Sequence, residues 1–457
     1  MGVSGDSLGM SQESLFPLPD PLPAGAAPLA PPPAPPPGGR PRLRRAIRNQ
    51  AEWRSADLDG MLAKDHRARG VWDFVQGLDL SALHAQIRAV EGGAGRPPID
   101  PAILVSLWIY ATAEGVGSAR ALARLCDEHD AYRWICGGVS VNHHTLSDFR
   151  TGNGSALDAL LTQSVAALMA EGLVTLDRVA QDGVRVRASA AAASFRSKDA
   201  LDRCLQEASA QVEALRKELE EDPSATTIRE AQARARAARE RQERIKRAIA
   251  HREEAAKRKT DEKEKEATRA STTDPECRVM KMPDGGFRPA FNPQFSTDTR
   301  SQIVVGVDVS NIGNDNGQLI PMLEQIQKRY GKMPTQALVD GGYAKLDDIE
   351  ALSEKGIEVY APMVKSKKGN RPPEQARWSD GPGVAAWRVR MTTAEAKEIY
   401  KERASTAECV NALARNRGLR QVLVRGLEKV RRVILWFALA HNMLRGVSLR
   451  AGAAAVA

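Results

Sequence analysis

The sequence predicts an α/β protein in which an all-helical N-terminal region precedes a sheet-bearing region broken by a long charged helical stretch. Three observations carry that reading. Helical apolar spacing dominates residues 50–155, and valine-rich strand runs stand on both sides of residues 196–270. After residue 285, strand clusters give way to a β-α-β-α-β alternation.

The elements follow in chain order. Residues 1–39 hold the low-complexity run FPLPDPLPAGAAPLAPPPAPPPGG, too poor in large apolar side chains to offset its ordering entropy, and are expected to be a disordered leader. RPRLRRAIRN comes next, with Arg40, Arg42, Arg44, Arg45 and Arg48. It reads equally as an arm for nucleic-acid phosphates or as a solvated charge run. Within residues 40–155, Asp100 followed by Pro101 marks a helix start and Gly115 its end. Ser118 opens a second helix, and Ser140 or Asn142 a third reaching Arg150. Short successive helices with a polar last one fit a helix-turn-helix reader of DNA or an ordinary bundle. His143 and His144 are adjacent, expected on different sides of their helix and a poor metal pair.

Residues 196–270 are rich in Ala, Arg, Lys and Glu, broken at Asp222-Pro223-Ser224. They predict two long charged helices, an antiparallel hairpin inserted within one domain that spans 170–450. Beyond them, residues 285–311 predict two or three strands, 317–330 a helix, TQALVDGGYA a strand, KLDDIEALSEKG a helix and IEVYAPM a strand.

Over 457 residues, a net charge of +9 and a pI near 9.3 point to a polyanionic partner, nucleic acid before membrane. The five cysteines are scattered with no C-x-x-C pair, which argues against a disulfide frame and a zinc site. The N-terminus lacks the layout of a signal peptide, so a cytoplasmic location is expected. The longest apolar run, VILWFALAHNML (433–444), is too short for a bilayer and is expected to be a buried helix.

The chemistry gathers around acidic residues at strand ends. In VAQDGVRVRASA, Asp182-Gly183 is either the corner of a β-hairpin or a carboxylate placed to hold a metal. ALVDGGYAK repeats the arrangement at Asp340, and IVVGVDVSN offers Asp308 as a rival. Paired aspartates suit magnesium, a hard ion bound by carboxylates, water and substrate phosphate. In EIYKERASTAECVNALARNRG, Tyr400, Arg403, Glu408, Asn411 and Arg415 share an arc of about 140° on a helix, the expected wet face. Ile399, Cys409, Val410 and Leu413 lie opposite.

With these residues in view, the chain from about Asp65 to Arg445 resembles an insertion-sequence transposase of the DDE type, with a ribonuclease-H-like catalytic domain. LWIYATAEGVGSARALARLC, RWICGGVSVNHHTLSDFR, QDGVRVRASA, LVDGGYA, YKERASTAECVNA and VRGLEKVRRVILWFALAHNMLR carry the likeness, in the right order. The resemblance implies that Asp182, Asp340 and Glu408 are the catalytic, metal-binding triad. It implies that Tyr400, Arg403 and Arg415 form the helical signature around the glutamate. Many such transposases place three residues between that arginine and the glutamate; here there are four.

The family further implies two magnesium ions, replaceable by manganese, a nucleoid-associated enzyme, and DNA as partner through terminal inverted repeats and target. A homodimer on DNA is expected. DNA contacts are expected from Tyr400, Arg403, Arg415, Arg42, Arg44 and Arg45, and from Lys367 and Lys368 in VKSKKGNR. Gly183 is expected to leave room for metal and scissile phosphate. Trp378 or Trp387 is a candidate for stacking on a frayed base, although a core tryptophan is the commoner role. The rival function is a non-enzymatic DNA-binding or architectural protein.

Overall fold

A computed structural model describes residues 57–89, 97–221, 227–363 and 375–455. The expected leader, Arg42, Arg44, Arg45, Lys367 and Lys368 lie outside the described residues.

The N-terminal helices are α1 (Arg67–Gln76), α2 (Ser81–His84), α3 (Pro101–Ala113), α4 (Ala119–Glu128), α5 (Asp130–Cys136), α6 (His143–Gly152) and α7 (Gly154–Ala170). The starts read from sequence are present as caps. Asp100 accepts from Ala102 N at 2.8 Å, Ser118 from Ala121 N at 3.4 Å and Asn142 from Thr145 N at 2.9 Å. Helix α3 is apolar on every side and is buried almost along its whole length, as such a helix must be. His143 and His144 depart from expectation: their rings stack with centroids 4.0 Å apart at the first turn of α6. At a helix start, the two side chains bend toward each other more readily than an ideal wheel suggests.

The sheet region contains β1 (Arg178–Gly183), β2 (Val186–Arg187), β3 (Phe195–Arg196), the helices α8 (Lys198–Glu221), α9 (Ile228–Lys257) and α10 (Glu262–Glu266), then β4 (Ala270–Ser271), β5 (Arg278–Lys281), β6 (Phe287–Asp298) and β7 (Val304–Ser310). It continues through α11 (Leu319–Tyr330), β8 (Gln336–Leu338), α12 (Leu346–Glu354), β9 (Glu358–Tyr360), α13 (Pro382–Arg390), α14 (Ala394–Arg403), α15 (Cys409–Asn416) and α16 (Leu427–Ala454).

Long β6 is the spine. It pairs antiparallel with β7 and β5 on one edge and with β1 and β2 on the other, while β1, β8 and β9 run parallel. Residues 285–311 thus form two strands. The hairpin reading of Asp182-Gly183 fails because both residues lie within β1, opposite Phe295 and Gln294. β2 carries on along the same edge of β6 instead of folding back on β1, and Val184 N still bonds Pro293 O at 2.8 Å.

Helices α8 and α9 pair antiparallel: Glu218 meets Arg234 at 3.2 Å, Gln211 meets Arg241 at 2.8 Å and Ser209 meets Gln242 at 2.9 Å. Their stem is closed by β3 and β4, which pair Phe195 with Ser271, and by buried Leu201, Ala248 and Ala270. Helix α16 is the buried helix expected over 433–444. Its Asn442 amide accepts from Val304 N at 2.8 Å and donates to Val304 O at 2.7 Å, satisfying the backbone of edge strand β7. Among the described residues no helix is long and apolar enough to cross a membrane.

Candidate active site

Register brings the two aspartates together. Parallel pairing sets Ala180 of β1 against Leu338 of β8, two residues before Asp182 and Asp340 respectively. Both carboxylates follow these paired positions, and both lie near enough to Arg403 to help raise its pKa. Asp340 leads into a tight turn over Gly341–Tyr343, and its side chain accepts from Gly341 N.

The third carboxylate arrives on the α14–α15 segment. Thr393 caps α14 by accepting from Ala396 N at 3.1 Å, and Glu402 pairs with Arg178 of β1 at 2.6 Å, which pins the helix to the sheet. Residues Ala404–Glu408 then form a π turn. A π turn accommodates one extra residue in a helix and is frequent at functional sites. Here it absorbs the additional residue between Arg403 and Glu408. Thr406 Oγ1 donates to Glu402 O at 2.7 Å within this turn.

Arg403 joins the pieces. Its guanidinium meets Glu408 at 2.6 Å and Asp182 at 3.2 Å, with 11% of its side chain exposed. Burial opposes its charge, but Asp182, Tyr400, Asp340 and Glu408 outweigh that and raise its pKa. The carboxylate of Asp182, 20% exposed, is pushed up by burial; Arg403, the Gly183 N–H and Asn411 pull the other way, and Asp315 adds to the rise. Burial also raises the Tyr400 phenol, whose charged neighbours are Arg403, Asp340, Glu408 and Asp182.

Asn411 was expected on the wet face, yet it is 3% exposed. The π turn rotates it toward the sheet, where Nδ2 donates to Asp182 Oδ2 at 3.0 Å while Oδ1 has no partner among the described residues. Arg415 stands half-buried in the last turn of α15, its side chain unpaired among the described residues. The rival Asp308 stands on β7 and faces Arg431 at 3.7 Å. Trp387 is a core residue, whereas Trp378 is 95% exposed.

The space beside Gly183 is already filled. Successive strand residues face opposite sides of a sheet, so Gly183 looks away from Arg403. A Cβ there would lie 2.5 Å from Gln294 Nε2, 2.6 Å from Asn292 Oδ1 and 2.8 Å from Asp315 Oδ1. Asp315 accepts from Asn292 at 2.7 Å and from Gln294 at 2.8 Å, and Tyr343 donates its hydroxyl to Gln294 Oε1. Sequence reasoning missed this cluster; its one visible trace is the polar run NDNGQ after β7.

Among the described residues, no three His, Cys, Asp or Glu side chains stand close enough to hold a metal ion together. Arg403 occupies the position between Asp182 and Glu408.

The family model described as "Transposase domain (DUF772)" matches residues 56–152, and the one described as "Transposase DDE domain" matches 259–443. The second span holds Asp340 and Glu408; Asp182 precedes it. No curated protein and no solved structure matches the chain. Helices α1 to α6 fall under the first transposase model and strands β4 to β9 under the second, and the chain belongs to the insertion-sequence transposases of the DDE type.

Proposed function

We propose that Asp182, Asp340 and Glu408 are the triad with which this DNA transposase cleaves element ends and transfers them to target DNA. The observation that carries the reading is the single guanidinium of Arg403 held by both Asp182 and Glu408, with Asp340, just past the end of β8, among the charges that act on it. A ribonuclease-H-like architecture interrupted by the α8–α9 hairpin is supported by the antiparallel run β1, β6, β7 followed by parallel β8 and β9. In this reading residues 40–155 form the DNA-binding region and 170–450 the catalytic domain.

DDE transposases use divalent metal ions. The donor set here fits one: hard carboxylate oxygens, with the orphaned buried Oδ1 of Asn411 beside Asp182. Two magnesium ions, or manganese, held by the triad would supply activation of the attacking oxygen and stabilisation of the leaving one. Asn411 keeps Asp182 oriented. Arg403 holds the carboxylates at close range against their mutual repulsion and, drawn off Asp182, becomes free to meet a phosphate oxygen. Tyr400 and Arg415 flank that path and position the DNA backbone without reading sequence. Terminal inverted repeats and target DNA are the partners, bound by a homodimer because two ends are joined in one event.

The test is a nicking assay on duplexes carrying the element's ends. Asp182→Asn, Asp340→Asn and Glu408→Gln should each abolish cleavage in magnesium, with Asp308→Asn active. Cleavage that survives in the three and is lost in Asp308→Asn would refute the assignment.

A further inference from the structure

The β1–β8 ladder stops short of the two aspartates. Its last pair is Ala180 with Leu338, and among the described residues no backbone hydrogen bond joins Asp182 to Val339, Asp340 or the turn behind it. Two carboxylates that share divalent ions repel one another when the ions are gone, so something other than the ladder must set their separation.

Gln294 stands where that link is missing. It lies on β6 opposite Gly183, on the sheet face away from Arg403, and is fully buried. Its Oε1 takes one donor from each aspartate-bearing segment. Gln181 Nε2, one residue before Asp182, donates to it at 3.2 Å, and the hydroxyl of Tyr343, three residues after Asp340, donates to the same oxygen. Tyr343 is in turn tied to Asp340, its N–H donating to Asp340 O at 3.0 Å, and the residue is buried. Asp182 and Arg403 are among the charged neighbours of its phenol.

The other end of Gln294 is fixed as well. Nε2 donates to Asp315 Oδ1 at 2.8 Å, and Asn292 Nδ2 donates to that same oxygen at 2.7 Å. The partners of Gln294 Oε1 are donors and the partner of Nε2 is an acceptor, so the amide fits in one orientation only. Gln181 Nε2 is held a second time, by Gln318 O at 3.1 Å. Buried hydrogen bonds gain from the low dielectric and are costly to leave unmade, so neither segment shifts without losing one.

We propose that Gln294 is a positioning residue for the two aspartates: through one oxygen it holds the Asp340 turn, by Tyr343, at a set distance from the Asp182 strand, by Gln181, and so prepares the pair to receive a divalent ion. The inference rests on the triad reading and adds to it a clamp that works from the opposite face of the sheet. Groups that orient metal ligands commonly set metal affinity in this way. In this arrangement neither Gln294 nor Tyr343 is itself a ligand, so their loss is felt in metal binding and not as a missing chemical step.

The test is Mn²⁺ titration of the full chain on an end duplex, followed by electron paramagnetic resonance, together with the Mg²⁺ dependence of nicking. Tyr343→Phe removes one hydroxyl, and Gln294→Met removes both ends of the amide at similar volume. Each should weaken Mn²⁺ binding about tenfold. The Mg²⁺ concentration for half-maximal nicking should rise to match, with the rate at saturating Mg²⁺ within about threefold of wild type. Gln294→Glu sets a second carboxylate against Asp315 and should bind more weakly still. Adding Asp315→Asn to it exchanges donor and acceptor along the same bond and should restore the affinity to within about threefold of wild type. Val165→Ala opens a cavity in the buried face of α7 and should lower the melting temperature while leaving Mn²⁺ binding alone.

Unchanged Mn²⁺ affinity in both Tyr343→Phe and Gln294→Met overturns the proposal. So does a loss matched by Val165→Ala, which would be general damage, or a double variant no better than Gln294→Glu. If the wild type takes up no Mn²⁺ that Asp182→Asn and Asp340→Asn diminish, the triad reading falls and this inference with it. Uptake that needs both aspartates and ignores Gln294 and Tyr343 overturns this inference alone.

Discussion

Arg403 and Glu408 meet at 2.6 Å across five positions of one helical segment because Ala404–Glu408 runs as a π turn. The extra residue therefore costs the site little: the turn widens to take it up, and Arg403 still reaches Asp182. Deleting exposed Ala404 should let the segment relax to an ordinary α-helix with the pair at i and i+4. Cleavage is expected to stay within about tenfold of wild type, since the same face is restored. Adding one more alanine there should swing Glu408 away by about 100° and abolish it. The nicking assay, with melting curves to confirm folding, decides. Loss of activity in a folded deletion variant would contradict the reading.

Asp182→Asn separates chemistry from stability. Burial raises the folded-state pKa of this carboxylate. Its contribution to stability is therefore greatest below the unfolded pKa and is lost as pH rises through the folded one. At neutral pH the ionised form is the less favourable one to bury, and an isosteric amide should leave the melting temperature at or above that of the wild type. Cleavage should fall by on the order of a thousandfold or more. A melting temperature several degrees lower would show that the charge stabilises the fold.

Asn411→Asp replaces a donor by a second carboxylate 3.0 Å from Asp182 Oδ2. Two carboxylates at that range do not ionise independently, so one must hold its proton to higher pH. The acid limb of the cleavage–pH profile should move upward, with slower cleavage at neutral pH. An unmoved limb would show that Asn411 does not orient Asp182.

Gly183→Ala tests the packed cluster behind the strand. The added methyl would meet Gln294, Asn292 and Asp315 at 2.5–2.8 Å. Calorimetry should show a loss of about 1–3 kcal/mol, the usual cost of overpacking. Unchanged stability would mean that this cluster yields easily.

Local signals were legible in the sequence, and long-range pairing was not. Asp100, Ser118 and Asn142 announce their helices because a cap bonds to a neighbour two or three residues on. The α8–α9 pair is visible in composition alone. Asp182-Gly183 imitates a hairpin corner, because the partner that makes it mid-strand is Phe295, more than a hundred residues away. The helical wheel placed Arg403 and Glu408 together but left Asn411 in solvent, since a regular 100° step cannot anticipate a π turn. The Asp315 cluster escaped for a similar reason: its members come from β6, the segment after β7 and the turn after Asp340, and nothing local links them.

Convergence of three carboxylates on shared divalent ions is read most directly by Mn²⁺ titration of the full chain bound to end DNA, followed by electron paramagnetic resonance. Wild type and Asp308→Asn should take up Mn²⁺ alike, in competition with Mg²⁺. Asp182→Asn, Asp340→Asn and Glu408→Gln should each bind it roughly tenfold or more weakly. Equal uptake by all five proteins, or a loss confined to Asp308→Asn, would contradict the account.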